Sequence, residues 1–180
     1  MTHPKFSLVL AALRDPKRWR KWLLEALILI AIVAAVTVWQ NRGLPEGMAP
    51  PLEGVRTDGS TVKVGAGGTA QLVVFWATWC PVCRAEEGNI SSVAEDWPVI
   101  SVAMQSGEAA EVAKYLKERE ITLPALVDAD GEMAAGWRVR GVPAHFILDP
   151  SGNIRFRVVG YATTLGLWVR LWWAQQFPLA

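Results

Sequence analysis

A chain of 180 residues is long enough for one well-buried domain and an appendage, and too short for two ordinary domains. Its 18 basic and 17 acidic residues leave a net charge of +1, which gives no global field for gathering nucleic acid, and nothing else in the sequence points to DNA or RNA. Hydrophobic residues make up 52% and the mean hydropathy is +0.22, high for a wholly soluble protein, so some apolar residues are expected to face lipid.

Charge is unevenly placed. Lys5, Arg14, Lys17, Arg18, Arg20 and Lys21 crowd the first segment against Asp15, whereas 11 basic and 15 acidic residues come after Arg42. From Trp22 to Trp39 the chain reads WLLEALILIAIVAAVTVW, apolar except for Glu25 and Thr37. As a helix this stretch spans about 26 Å, close to the bilayer's apolar thickness of about 30 Å. Trp19, Trp22 and Trp39 stand near its ends, and the basic cluster on the N-terminal side leaves that end in the cytoplasm and exports the chain beyond residue 42. The expected division is a basic N-terminus over 1–21, a transmembrane anchor over 22–39, a linker over 40–51 and a domain over 52–180. A cleaved signal peptide competes, because Val33, Ala34 and Ala35 are small enough for a cleavage site; the long n-region and the lack of a polar c-region before Trp39 oppose it. A buried core helix is the third reading, opposed by the missing polar face.

The Gly- and Pro-rich NRGLPEGMAPP suits a tether. LEGVRTDGSTVKV alternates about an Asp58-Gly59 turn and predicts a hairpin, AGG at 66–68 a turn, and QLVVFWA a buried strand. Cys80 to about Glu95 suits a helix opening at Pro81, PVISVAM a second apolar strand, and Ser106 a cap for the helix GEAAEVAKYLKERE. ALVD reads as a short extended piece, Glu132–Arg138 as a short helix, and DPSG as a turn between GVPAHFILD and NIRFRVVG. A terminal helix over Thr163–Gln176 places Leu165, Trp168 and Trp172 on one face. The ten tryptophans read as core and helix-packing residues. Strands alternating with helices predict an α/β fold with a parallel or mixed sheet covered on both faces.

The only two cysteines, Cys80 and Cys83, lie in FWATWCPVCRAE. A Cys-x-x-Cys pair after a strand and at a helix N-terminus gains thiolate stability from the free N–H groups and the helix dipole; Cys80 is expected to stay exposed while Cys83 lies a turn deeper. Two sulfurs so close in sequence close almost no loop, so a structural staple explains them poorly. Zinc would need four ligands, and only the separated His3 and His145 remain to join the cysteines. Haem attachment requires His at position 84, which is Arg84. Two thiolates suffice for Cu(I), so a copper-binding module stays as the rival reading.

VVFWATWCPVCRAE, GVP at 141–143, FILDPSGNI and Gly160 together resemble the thioredoxin-like superfamily, in particular its membrane-anchored TlpA-like branch, from about Ala49 to Ala174. WATWCPVCRAE and SVAMQSG resemble copper-sensitivity suppressor proteins of the ScsD type, with the cytochrome c maturation reductases of the CcmG and ResA type next. The resemblance implies a thioredoxin-like fold and a protein thiol-disulfide oxidoreductase, with Cys80 as nucleophile and Cys83 as resolving thiol. It implies a cis peptide at Pro143, with Val142 offering backbone hydrogen bonds to a bound cysteine-containing peptide, and Glu86 handling the proton of the second thiol. Glu86 and Glu87 read equally well as solvated acids of a first helical turn. Where thioredoxin carries a buried aspartate, this chain has Val74, and Gly88 replaces a common proline.

Trp79 is expected to shield the pair and contact substrate, and Trp76 to belong to the core. Arg84 reads as a thiolate-favouring cation or a plain surface residue, and His145 as a satisfied strand histidine or a modulator of Cys80. Asp128 and Asp130 beside Gly131 resemble part of a calcium loop but lack its other ligands, which favours a turn. No cofactor beyond a redox-active Cys80–Cys83 disulfide is called for. Pro81-Val82 lacks the histidine of strongly oxidising relatives, which leans the reading towards the reducing side. A reductant outside the cytoplasm then needs an electron-delivering membrane thiol reductase as partner, besides its cysteine-containing protein substrates.

Overall fold

The computed structural model describes residues 16–65 and 67–179. His3, Lys5, Arg14, Asp15 and Ala66, each named from the sequence, lie outside the described residues, as do the side chains of Lys17, Arg18 and Trp39. The chain divides into two compact units, Met1–Arg42 and Gly43–Ala180.

The first unit contributes helix α1, Pro16–Asn41. Within it Trp19–Val38 is long and apolar enough to cross a membrane, and its side chains are exposed in the described structure. Its two polar interruptions have partners along the helix: Thr37 Oγ1 donates to the Val33 carbonyl at 2.8 Å, and Lys21 Nζ lies 3.9 Å from Glu25.

The second unit is built on a six-stranded sheet. Its strands are β1 (Gly47–Met48), β4 (Gln71–Trp76), β5 (Val99–Met104), β6 (Ala125–Asp128), β7 (Ala144–Leu148) and β8 (Asn153–Val159), in the order β1-β8-β7-β4-β5-β6. β4, β5 and β6 are parallel to one another, while β7, β8 and β1 join antiparallel. The hairpin β2 (Glu53–Val55) and β3 (Thr61–Lys63) forms about the expected turn, where Gly59 has φ +81°. Gly54 lets the hairpin lie close to β6, because a Cβ there would meet Leu126 Cδ2 at 3.1 Å. Part of the segment expected to be a linker is already in the domain: Gly47 and Met48 pair with Ile154 and Asn153, and Leu44 is buried. Two-residue edge pairing needs no propensity run, so composition alone does not show it.

Helices α2 (Pro81–Asp96), α3 (Ala109–Glu118), α4 (Glu132–Gly136) and α5 (Thr164–Gln176) cover the sheet. All six residues of β4 are buried, as the apolar run from Leu72 to Trp76 requires of a central strand covered on both faces, and the buried Gln71 donates from Nε2 to the Gly65 carbonyl. On one face Phe75, Phe146 and Trp137 form an aromatic cluster, with Trp137–Phe146 centroids 4.9 Å apart and edge-on. On the other, Leu72, Val74 and Ile147 meet Ile90 and Val93 of α2 and Leu167, Leu171 and Ala174 of α5.

Two local expectations differ. α5 buries Leu167, Leu171 and Ala174, whereas Leu165, Trp168, Trp172 and Trp173 are exposed. The helix is apolar on nearly every side, so periodicity leaves its inward face open, and the slimmer side chains are the ones against the sheet. Ser106 does not cap α3: the turn is held by the Glu108 N–H donating to Glu111 Oε2 at 2.8 Å. Asp128 serves as a turn residue, with its carboxylate accepting from the N–H groups of Met133 and Ala134 at the start of α4, both 2.9 Å.

Candidate active site

β4 delivers the chain to the top of the sheet and α2 starts there, so Cys80 becomes the residue capping α2 and Pro81 its first helical position. Cys80 Sγ accepts from the Cys83 N–H at 3.2 Å and lies 3.6 Å from the Val142 carbonyl, to which its S–H donates. Val142-Pro143 is a cis peptide, as the resemblance implied, and brings the start of β7 against the pair. Both cysteines are free thiols.

Contrary to expectation, Cys80 is no more exposed than Cys83: each shows 3% of its surface. The reason is local. Trp76, Ala77 and Val142 pack around the sulfurs, with Val142's carbonyl over Cys80 Sγ. Burial pushes the Cys83 thiol well above its ordinary value of 9.0; its hydrogen bond with Cys80 and the charges of Cys80 and Glu86 add to the rise, against a backbone hydrogen bond at Ala77.

The loop before the pair is held from β5's end. Ser106 Oγ accepts from the Thr78 N–H at 3.0 Å and donates to the Met104 carbonyl at 2.9 Å, and Trp79 Nε1 donates to the Gln105 carbonyl at 3.0 Å. Trp79 still exposes 57% of its surface beside the cysteines, whereas Trp76 is buried and donates to Ser101 Oγ at 2.7 Å. Arg84 points outward.

Glu86, one turn beyond Cys83, is no solvated acid. It is 1% exposed, with Oε2 accepting from the Ala162 N–H and Oε1 on His145 Nε2, both at 3.0 Å. His145 is wholly buried and its Nδ1 lies 3.2 Å from the Val158 carbonyl. Glu87 is the partly buried neighbour, bound by Tyr115 Oη at 2.6 Å and by Arg119. Gly88 does not interrupt α2. A cavity of about 40 Å³ lies between α2 and the sheet, lined among others by Val74, Trp76, Cys83, Glu86 and Ser101. That is room for a water or two.

The structure places Cys80, Cys83, Glu86, Trp79, Val142 and Pro143 around the start of α2. Sequence reasoning missed the Gln105-Ser106 support and the partnership of His145 with Glu86. The signal for the second was a lone histidine in the otherwise apolar strand AHFIL.

Residues 45–157 match the family model of the AhpC/TSA family. The chain belongs to the AhpC/TSA family. Within this thioredoxin-like family it is 36% identical over 107 residues to a thioredoxin-like protein of Haemophilus influenzae, a match covering 59% of this chain and 64% of that protein. Over 159 residues it is 29% identical to the thiol:disulfide interchange protein DsbE of Escherichia coli K12, covering 78% of this chain and 86% of the other. The first three curated relatives are matched over only 50% to 64% of their own length. Among solved structures, a thiol:disulfide interchange protein of the thioredoxin family from Chlorobium tepidum superposes with a TM-score of 0.63 at 25% identity, covering 72% of this chain and 97% of that one.

Proposed function

We propose that the protein is a membrane-anchored thiol-disulfide oxidoreductase whose exported domain exchanges disulfides with cysteine-containing proteins through Cys80 and Cys83. The observation that carries this reading is the pair itself: Cys80 at the N-terminus of α2, Cys83 N–H on its sulfur, and the cis Val142-Pro143 segment against it. The names of its relatives support the same chemistry.

In the reducing direction, Cys80 as thiolate attacks a substrate disulfide and expels one substrate thiol. Cys83 then loses its proton to Glu86 and attacks Cys80 Sγ, which releases the second substrate sulfur as a thiolate that takes up a proton. Two electrons pass to the substrate and a Cys80–Cys83 disulfide remains as the only redox group needed. An electron-delivering membrane thiol reductase restores the dithiol. Because Val142 covers Cys80, the incoming chain takes its place against the Val142-Pro143 segment, with the exposed Trp79 at the rim. No imidazole flanks Cys80 from Pro81-Val82, which supports the reducing side.

The ScsD-like wording of the motif supports substrates in copper tolerance; relatives named DsbE favour, as the second reading, the cytochrome c maturation reductases the sequence resembles. A Cu(I) site would need both sulfurs as ligands, and each is covered by the packing of Trp76, Ala77 and Val142. The test is insulin reduction with dithiothreitol by the full chain in detergent: the reading expects catalysis that Cys80→Ser abolishes, and an unchanged rate in that variant refutes it.

A further inference from the structure

The Glu86–His145 contact contains more information than its 3.0 Å length. Val158's carbonyl can only accept, so His145 Nδ1 carries a proton; the Ala162 N–H can only donate, so Glu86 Oε2 is an acceptor. What remains is Oε1 facing Nε2. Two bare lone pairs there would repel, and two protons would clash, so the contact holds one proton. It belongs either to a carboxylic acid donating to a neutral imidazole or to an imidazolium donating to a carboxylate. Both descriptions sum to zero charge.

We propose that His145 is a positioning residue for Glu86: by sharing one proton with it, His145 keeps the acid beside Cys83 electrically neutral as a unit and balances the charge created when Cys83 ionises. This rests on the thiol-disulfide function proposed for the pair. With the proton on the imidazole, transfer from Cys83 to the Glu86 carboxylate leaves a thiolate, a carboxylic acid and an imidazolium, which is net zero before and after. Without His145, the same transfer takes place around one uncompensated buried negative charge, which opposes ionisation of a neighbouring thiol. The cavity lined by both Cys83 and Glu86 is the route between them.

The charged surroundings are few. From α2, Cys83 shares the cavity with Glu86, while Glu87 is turned to Tyr115 and Arg119. From β4 comes Val74, from β5 Ser101, and from the β8 side only the Val158 carbonyl; in the 160–164 loop Ala162 offers its N–H and Tyr161's hydroxyl is taken by Asn89.

The test reads Cys83 alone, in full-chain Cys80→Ser protein, as its rate of alkylation by iodoacetamide against pH. His145→Gln is expected to slow alkylation about tenfold at pH 8, the equivalent of one pH unit, and to add nothing when Glu86→Gln is already present. A rate within twofold of the parent, or the same slowing in the Glu86→Gln background, overturns the proposal; a purely structural histidine would give the latter. Should His145→Gln fail to fold, nitrogen-15 histidine NMR of the unmutated chain decides. It is expected to show a protonated Nδ1 and one strongly downfield proton in the Nε2 contact that disappears in Glu86→Gln, and a bare Nδ1 overturns the proposal. Failure of the unmutated chain to reduce insulin would instead sink the functional reading and leave these measurements standing.

Discussion

Val74 and His145 are direct partners across the antiparallel β4–β7 pair, one layer beneath the cysteines. Val74 occupies the place where thioredoxin, which the sequence resembles, has its buried aspartate. The ionisable groups in this layer come instead from the neighbouring strand, through His145, and from the helix above, through Glu86.

Restoring an acid on β4 should therefore be harmful. Val74→Asp buries a second carboxylate beside a contact that already holds its one proton, with no partner to compensate it. The variant is expected to lose about 2–4 kcal/mol of stability, measured by urea unfolding of the full chain in detergent. Unchanged stability would show that the layer has polar capacity to spare.

The raised Cys83 thiol makes stability depend on pH in a defined direction. In the unfolded chain this thiol ionises from about 9, while the folded chain keeps the proton. Above that pH the folded state binds more protons, so stability falls as pH rises, by at most about 1.4 kcal/mol per pH unit for one group. Between pH 9 and 10 the reduced protein should lose stability faster than the oxidised one, which has no Cys83 thiol, and Cys83→Ala should remove the excess slope. Above pH 10 Tyr115, raised by burial and by its bond to Glu87, adds a second fall.

The substrate contact proposed for Trp79 can be separated from folding. Its ring is exposed and its one hydrogen bond is to Gln105, so Trp79→Ala should cost less than about 1 kcal/mol. Turnover of a folded protein disulfide should fall several-fold while that of a small disulfide such as oxidised glutathione stays within about twofold. Equal losses on both substrates would place Trp79 in the scaffold.

If α1 is an anchor, the full-length chain resists alkaline carbonate extraction from cell membranes and its intact mass includes Met1. Removal of residues 1–42, the first unit, should release the domain. A mature N-terminus near Ala35 would establish the signal-peptide reading instead.

Much of this architecture was legible because the signals are local. QLVVFW is too apolar to be anything but a central strand, Asp58-Gly59 sets the hairpin, and Cys80-Pro81 marks the start of α2. The inward face of α5 was not legible, since both Trp168 and Leu167 read as core candidates and the sheet, not the helix, selects between them. Nor was the exposure of Cys80, which is set by Val142 from 62 residues away. Glu86 could be placed on α2 from spacing, but its burial depends on Ala162 and His145, 76 and 59 residues distant, and separations of that kind leave no trace in a local pattern.

The central claim is that Cys80 captures the substrate sulfur and Cys83 releases it. Trapping in intact cells with the full-length chain tests it most directly: Cys83→Ser should accumulate mixed disulfides that dithiothreitol dissolves, and Cys80→Ser should accumulate none. Equal trapping by both variants, or trapping through Cys83 alone, would contradict the account.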